Sequence, residues 1–216
     1  MANYETSENT KRALIIAAGQ LFTDRGIEAS SIRAIAERAG TDSSMIKYYF
    51  GSKDGLISAA IDFVIKPWES RSLTGYVREN EHLFATKDGQ RQLVTELISL
   101  CFEYMAPDPK IPWKNTFLMQ CTQHNHIGLQ RVLDKIVIPD STLFIEVFSR
   151  ITGNEDAESA HCWSLTFTGA AFLFACNPAL IQMAHPGKLL SPSFYRRLQH
   201  FCTNEALWAL GLIDNK

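Results

Sequence analysis

Hydrophobic residues in the first 66 positions recur at the spacing of amphipathic helices. They form four stripes: Leu14, Ala17, Ala18, Leu21 and Phe22; Ile32, Ile35, Ala36 and Ala39; Ile46, Tyr49 and Phe50; and Leu56, Ile57, Ala60, Ile61 and Val64. The residues between the stripes are ones that commonly begin and end helices, with glycines as C-terminal stops and serines as N-caps. We expect stops at Gly26, Gly40 and before Pro67, and caps at Ser30 or Ser31 and at Ser52.

The rest of the chain carries the same period, and no stretch alternates polar and apolar residues as a strand would. The pattern predicts helices near 90–106, 113–124, 128–151, 156–176 and 193–211, with 68–89 helical in part. The predicted fold class is therefore all-α. We expect an N-terminal domain over 1–52, a connecting helix over 53–66 and a larger C-terminal domain over 67–216.

Charge and composition exclude several classes of protein. Lys and Arg number 21 against 23 Asp and Glu, so any contact with nucleic acid must come from a local surface and not from net charge. No apolar run approaches the ~20 residues of a membrane-spanning helix. The five cysteines contain no C-x-x-C pair, and the polar start lacks the pattern of a signal peptide, so we expect a reduced, cytoplasmic protein.

The most informative arrangement lies in residues 31–50. A helix ending at Ala39 meets the turn Gly40-Thr41-Asp42, and a second short helix starts at Ser43, which is the helix-turn-helix pattern. The polar face of the second helix offers small hydroxyls, one cation and a phenol, which suit a groove of DNA: Ser43, Ser44, Lys47 and Tyr48. The alternative is a solvated face with no partner. Residues 31–53 hold four cations and two anions, a modest local excess.

Three segments resemble the DNA-binding region of the tetracycline-repressor (TetR/AcrR) family over roughly residues 9–65. They are Ser31-Ile32-Arg33-Ala34-Ile35-Ala36, then Ala39-Gly40-Thr41, then Tyr48-Tyr49-Phe50-Gly51-Ser52-Lys53-Asp54-Gly55-Leu56. The resemblance implies an all-helical homodimer, usually a repressor, whose C-terminal domain binds a small molecule and thereby releases DNA.

The resemblance also implies roles in DNA binding for single residues. Ser31 and Lys53 would contact phosphates, and Arg33 would contact a base or the backbone. The turn and the start of the recognition helix would contribute Thr41, Ser43 and Ser44, and the end of that helix would contribute Lys47, Tyr48 and Tyr49. Three positions depart from the family pattern. Lys47 replaces a common Tyr, and Tyr49 replaces a frequent His, which leaves DNA contact or packing open for Tyr49. Gly55 replaces a good helix former at a cost of up to about 1 kcal/mol.

Segment 156–176 is apolar on every face, so one side should meet the chain's own core and another a partner chain. Together with the last helix it predicts a four-helix homodimer interface, as the family generally has. The predicted interface residues are Trp163, Phe167, Ala170, Phe174, Phe201 and Trp208. A monomeric core is the alternative.

Aromatic residues with few charges around 113–130 fit a pocket for a small, mostly apolar effector, although such residues more often fill a core. The predicted ligand-binding residues are Phe102, Trp113, Phe117, Cys121 and His124. His124 and His126 are two apart and would not share a helix face, so we expect no metal, and nothing indicates a cofactor.

The leading hypothesis is a ligand-responsive repressor that binds a pseudo-palindromic operator as a homodimer. An all-helical enzyme is the second hypothesis, and the chain lacks G-x-S-x-G, P-loop, G-x-G-x-x-G and H-E-x-x-H motifs. A protein-binding adaptor whose helix-turn-helix no longer binds DNA is the third.

Overall fold

The computed structural model describes residues 2–124, 126–176, 183 and 191–214, and these residues form helices and no strand. The α-helices in chain order are α1 (Ala2–Arg25), α2 (Ile32–Arg38), α3 (Ser44–Phe50), α4 (Lys53–Ser70), α5 (Leu73–Glu79), α6 (Lys87–Met105), α7 (Lys114–His124), α8 (His126–Val132), α9 (Ile138–Thr152), α10 (Ala157–Cys176) and α11 (Pro192–Ala209). A 3-10 helix covers Glu81–Ala85 and a π-helical turn covers Leu133–Val137. The predicted all-α fold class is confirmed.

The chain folds as two compact units. Unit 1 comprises Met1–Pro67 with Pro107–Lys135, and unit 2 comprises Trp68–Ala106 with Ile136–Lys216. The sequence analysis assigned 107–135 to the C-terminal domain, whereas this segment packs with the N-terminal helices.

Aromatic packing explains where that segment lies. Phe117 of α7 stacks on Phe22 of α1 with ring centroids 5.9 Å apart, and Trp113 meets Phe117 edge-on at 5.7 Å. Gly19 leaves room for the indole, because a Cβ at this position would lie 2.3 Å from the ring of Trp113. Burial of such rings is worth several kcal/mol in total, roughly 1.5–3 kcal/mol for each large side chain.

Helix α4 runs through Pro67 to Ser70, so the predicted stop before Pro67 is wrong. A proline inside a helix removes one backbone hydrogen bond, yet α4 has a buried face on both sides of it. Ile61, Val64 and Ile65 are buried before the proline, and Trp68 is buried after it. Tertiary packing therefore maintains the helix past its local breaker.

The predicted helix over 128–151 is two helices separated by the π-helical turn Leu133–Val137. Pro139 stands in the first turn of α9, where its missing N–H costs nothing. Further inside a continuous helix its ring would collide with the carbonyl of Lys135, which is the physical reason for the interruption.

Unit 2 has its own core, formed by α5, α6, α9, α10 and α11. The indole N–H of Trp163 donates to the carbonyl of Ala206 at 3.1 Å, and the hydroxyl of Tyr195 donates to the carbonyl of Phe102 at 2.6 Å. Phe167 is fully buried and meets Trp163 edge-on at 5.2 Å. These bonds tie α11 to α6 and α10.

This core corrects the predicted dimer interface. Trp163, Phe167 and Phe174 are 3%, 0% and 3% exposed within the single chain, so they do not form a surface for a partner. Their inward direction follows from their i, i+4 and i+11 spacing, which places all three on one helix face. Ala170 is partly buried, whereas Phe201 and Trp208 of α11 are exposed as predicted.

Across the described ranges, we find no helix with the length and apolar character needed to cross a membrane.

Candidate nucleic-acid interface

Helices α2 and α3 are joined by a turn that the sequence predicts closely. Gly40 adopts the left-handed conformation with φ +69°, and the N–H of Thr41 donates to the carbonyl of Ala36 at 3.0 Å, which ends α2. The carboxylate of Asp42 accepts the N–H of Ser44 at 2.7 Å and caps α3. Backbone hydrogen bonds and one carboxylate thus define the angle between the two helices.

Ser30 and Ser31, next to each other at the start of α2, make different hydrogen bonds. Ser31 is the N-cap, since its hydroxyl oxygen accepts the N–H of Ala34 at 3.2 Å while the side chain stays exposed. Ser30 is buried, and its hydroxyl lies 2.8 Å from the carbonyl of Gly26 and 3.2 Å from that of Leu21. The buried serine anchors the helix pair to α1, and the exposed one keeps a hydroxyl proton that can be donated outward.

One residue, Ile46, anchors α3 in the core at 0% exposure. Opposite it lies an exposed face made by Ser43, Ser44, Lys47 and Tyr48. The ring of Tyr48 is 76% exposed, a high value for a large aromatic side chain on a rigid helix. A phenol, a cation and two hydroxyl groups are thus exposed to solvent on one face.

Asp42 stays ionised beside this face. Hydrogen bonds from the Ser44 side chain and backbone N–H lower the pKa of the Asp42 carboxyl. The hydroxyl of Ser44 is therefore engaged by the cap, and its oxygen remains as an acceptor. A carboxylate at this end of α3 also repels phosphates, which favours phosphate contacts by Lys47 and Lys53 over contacts at the helix start.

Tyr49 is partly buried and is held from two sides. The ammonium of Lys11 lies 5.9 Å from its ring centroid, and the ring of Tyr48 meets it edge-on at 4.9 Å. The structure thus gives Tyr49 a packing role, in which it supports the exposed ring of Tyr48. Contact between Tyr49 and DNA stays a prediction.

The turn from α3 to α4 brings further predicted residues into place. Gly51 has φ +75°, and the hydroxyl of Ser52 accepts the N–H of Gly55 at 3.0 Å, so the predicted cap of α4 is confirmed. Lys53 is partly exposed at the first position of α4. Arg33, Lys47 and Lys53 form no ion pair with any described residue, whereas Arg38 pairs with Asp24 at 3.1 Å.

The structure separates the predicted ligand-binding residues. Trp113, Phe117 and Cys121 are buried in the aromatic core of unit 1, and burial raises the pKa of the Cys121 thiol to about 12. Phe102 is fully buried in unit 2, where its ring lies 5.2 Å from that of Tyr195. The side chain of His124 lies outside the described residues. Packing accounts for the first four, and their role in ligand binding stays a prediction.

A cavity of about 50 Å³ lies within unit 2. Its walls are mostly apolar and include Trp68, Cys101, Tyr104, Met105, Phe144 and Ala171. The rings of Trp68 and Tyr104 stack at 5.6 Å with 22° between their planes. Phe102, one of the five predicted ligand-binding residues, does not line this cavity, whereas its α6 neighbours Cys101, Tyr104 and Met105 do.

Among the described residues of the cavity wall, Asp140 alone carries a carboxyl group, and the sequence analysis does not predict it. Burial raises its pKa from 3.8 to about 7, since desolvation disfavours the charged form. A signal was present in the sequence, because Asp140 precedes Leu143, Phe144 and Val147 at the i+3, i+4 and i+7 spacing of a buried helix face. An acid on an apolar stripe marks a site that needs a partner.

Comparison with known proteins agrees with the geometry of the N-terminal helices. Residues 14–60 match the family described as bacterial regulatory proteins, tetR family. A probable helix-turn-helix transcriptional regulator of Bacillus subtilis, YttP, is 28% identical over 141 residues, which cover 65% of this chain and 56% of that protein. The chain spans roughly two fifths to somewhat over half the length of the first curated relatives it matches, between 40% and 56%.

Solved structures share the fold along nearly the whole chain. A transcriptional regulator from Rhodococcus sp. Rha1 superposes with a TM-score of 0.60 at 17% identity, covering 92% of this chain and 96% of that one. NalD of Pseudomonas aeruginosa, the secondary repressor of the MexAB-OprM multidrug efflux pump, superposes with a TM-score of 0.58 at 18% identity over the same shares. At these identities the likeness concerns the fold alone.

Proposed function

This chain belongs to the tetR family of bacterial regulatory proteins, and we propose that it is a homodimeric transcriptional repressor released from its operator by a small molecule. The observation that carries the proposal is the exposed face of α3, where Lys47, Tyr48 and the hydroxyls of Ser43 and Ser44 lie on a rigid helix. Such a face can enter the major groove, while Ser31 and Lys53 reach the flanking phosphates.

A second copy of the chain supplies the second recognition helix. Helices α10 and α11 pack against each other and leave large apolar side chains in solvent, with Leu165 and Phe201 both 62% exposed and Trp208 49% exposed. Exposed apolar patches of this kind mark interfaces. Two chains paired through α10 and α11 would present their recognition helices to a pseudo-palindromic site with half-sites roughly 34–36 Å apart.

The cavity in unit 2 supports a ligand-controlled switch. Its wall includes Trp68, which stands in the last turn of α4, the helix that begins with Lys53 next to the recognition helix. A ligand that favours a different setting of α4 would change the separation of the two recognition helices. Thermodynamic linkage then requires that operator and ligand weaken each other's binding by the same factor, within about 5–150-fold.

A mobility-shift titration with the DNA upstream of the protein's own gene tests the proposal. We expect one dimer to retard the fragment at low salt, and footprinting to reveal two protected half-sites related by two-fold symmetry. Tyr48→Ala removes the exposed aromatic side chain of α3 and should abolish the footprint, whereas Ile138→Ala, at an exposed apolar residue of α9, should leave it unchanged. Random DNA bound as tightly as every upstream fragment would refute operator recognition.

A regulator of this kind acts where the chromosome lies, so we place its activity in the bacterial cytoplasm. The comparisons connect the chain with DNA-binding regulators. A reporter gene under the protein's own promoter distinguishes repression from activation. Deletion of the regulator should raise expression of the reporter, and a fall in expression would assign activation instead.

A further inference from the structure

The cavity of unit 2 has an uneven distribution of charge. Among the described residues of its wall, Asp140 can carry a negative charge at neutral pH, and none can carry a positive one. Burial keeps the other two ionisable wall groups neutral, because it raises the pKa of the Tyr104 phenol to about 12 and that of the Cys101 thiol well above its usual value. The remaining wall is aliphatic and aromatic apart from Thr168, whose hydroxyl donates to the carbonyl of Ser164 at 2.8 Å.

No residue in the described part of the chain forms a hydrogen bond or an ion pair with the carboxyl of Asp140, and desolvation is the sole cause of its raised pKa. The guanidinium of Arg71, which acts electrostatically on the phenol of Tyr104 in the cavity wall, lies 3.0 Å from Glu96 and 3.1 Å from Glu103 and is paired with both. The position of Asp140 in the first turn of α9 supplies only the helix dipole. An acid without an internal cation, on the wall of a cavity, fits a cation brought by a ligand.

The aromatic wall fits the same ligand. Trp68 and Tyr104 stack on each other, and Phe144 lies on the same wall, so the cavity presents aromatic surface beside the carboxyl. Aromatic faces attract cations, and they also pack against the apolar body of a ligand.

We propose that the effector is a small organic cation, an amine or ammonium group on an apolar or aromatic body, whose charge pairs with Asp140 inside the cavity of unit 2. This inference rests on the proposed function only in calling the ligand an effector, because binding of the ligand can be measured on the protein without DNA. It adds a positive charge to the small, mostly apolar effector that the sequence predicts.

The test uses two probes of equal length, 4-phenylbutylamine, which is a cation at pH 7, and 4-phenylbutan-1-ol, which is neutral. Calorimetry on the full-length protein should show tighter binding of the amine by tenfold or more. Binding of the amine at pH 7 should also release a proton, because the cation drives Asp140 into its ionised form. The heat should therefore depend on the ionisation enthalpy of the buffer, whereas the heat for the alcohol should not.

Asp140→Asn should remove both the preference for the amine and the proton release. Glu146→Gln is the matched control, since it removes a carboxyl on the same helix that pairs with Arg150 at 3.1 Å and is not part of the cavity wall. Equal affinity for the two probes, a preference that survives in Asp140→Asn, or failure of both probes to bind would overturn the proposal. The comparison of the probes on the unmodified protein needs no variant and decides the question by itself.

This outcome is separable from that of the mobility-shift titration. Operator binding without a preference for the amine would contradict the proposal of a cationic ligand and would leave the proposed repressor function intact. A preference for the amine without operator binding would support the cationic ligand site and would contradict the proposed repressor function.

Discussion

The carbonyl oxygen of Phe50 lies 1.9 Å from the position that a Cβ on Gly55 would occupy. Gly55 thus lets the end of α3 approach the first turn of α4, and its helix-weakening character is the cost of that approach. From the sequence alone, Gly55 is a helix-weakening residue with no neighbour to explain it. The neighbour is the backbone of the recognition helix itself.

Gly55→Ala should therefore damage operator binding more than its distance from the exposed face of α3 suggests. The added methyl group must displace the carbonyl of Phe50, at a cost of roughly 1–3 kcal/mol, and the displacement tilts α3 against α4. Thermal unfolding and mobility shift together measure both effects. Ser58→Ala, which adds no atom to the same helix, is the control, and Gly55→Ala with unchanged stability and affinity would contradict this role of the glycine.

Lys47→Ala and Lys53→Ala should weaken binding to operator and random DNA alike, because phosphate contacts carry little sequence information. In a dimer each substitution removes two contacts, so the slope of log affinity against log salt should become shallower by about 2. Lys66→Ala is the control, an exposed lysine about 20 Å farther along α4 at 1.5 Å per residue. An unchanged slope for Lys53→Ala would place that lysine away from the phosphates.

Local signals predicted the N-terminal helices well. Gly26, Gly40, Ser31 and Ser52 each act through backbone conformation or a hydrogen bond within a few residues, so their effect can be read from the sequence. Pro67 shows the limit of such signals. A proline normally ends a helix, but burial of Trp68 beyond it keeps α4 intact, and burial depends on the rest of the chain.

The choice of faces on α10 required three-dimensional information. The helix is apolar all round, so its sequence cannot tell which side meets the core. Trp163 lies inward because its indole finds the carbonyl of Ala206, while Leu165 remains 62% exposed. The sequence likewise does not show what Trp113 packs against, because its contact with Gly19 joins segments about 90 residues apart.

Leu165→Glu or Phe201→Glu should convert the proposed dimer into a monomer, since a charge on each chain would be buried next to its copy. Light scattering at micromolar concentration measures the change in mass. Both residues are exposed in the single chain, so folding should persist, which circular dichroism can confirm. Ile138→Glu introduces the same charge at another exposed apolar position and should leave the mass unchanged. A monomer before any substitution would contradict the dimer.

Asp140→Asn should stabilise the ligand-free protein, and the gain should depend on pH. The pKa of Asp140 is about 7 in the folded chain against 3.8 as its ordinary value, so the folded state binds the proton more tightly than the unfolded state does. The contribution of Asp140 to the free energy of unfolding is therefore most favourable below pH 4 and falls as the pH rises from about 4 to 7. The loss above pH 7 is at most about 4 kcal/mol. Asparagine carries no charge and avoids this loss. We expect the Tm of the variant to exceed that of the unmodified protein by several degrees at pH 8 and to match it near pH 4, whereas Glu146→Gln should show no such divergence. A difference in Tm that is the same at both pH values would show that the carboxyl of Asp140 titrates normally.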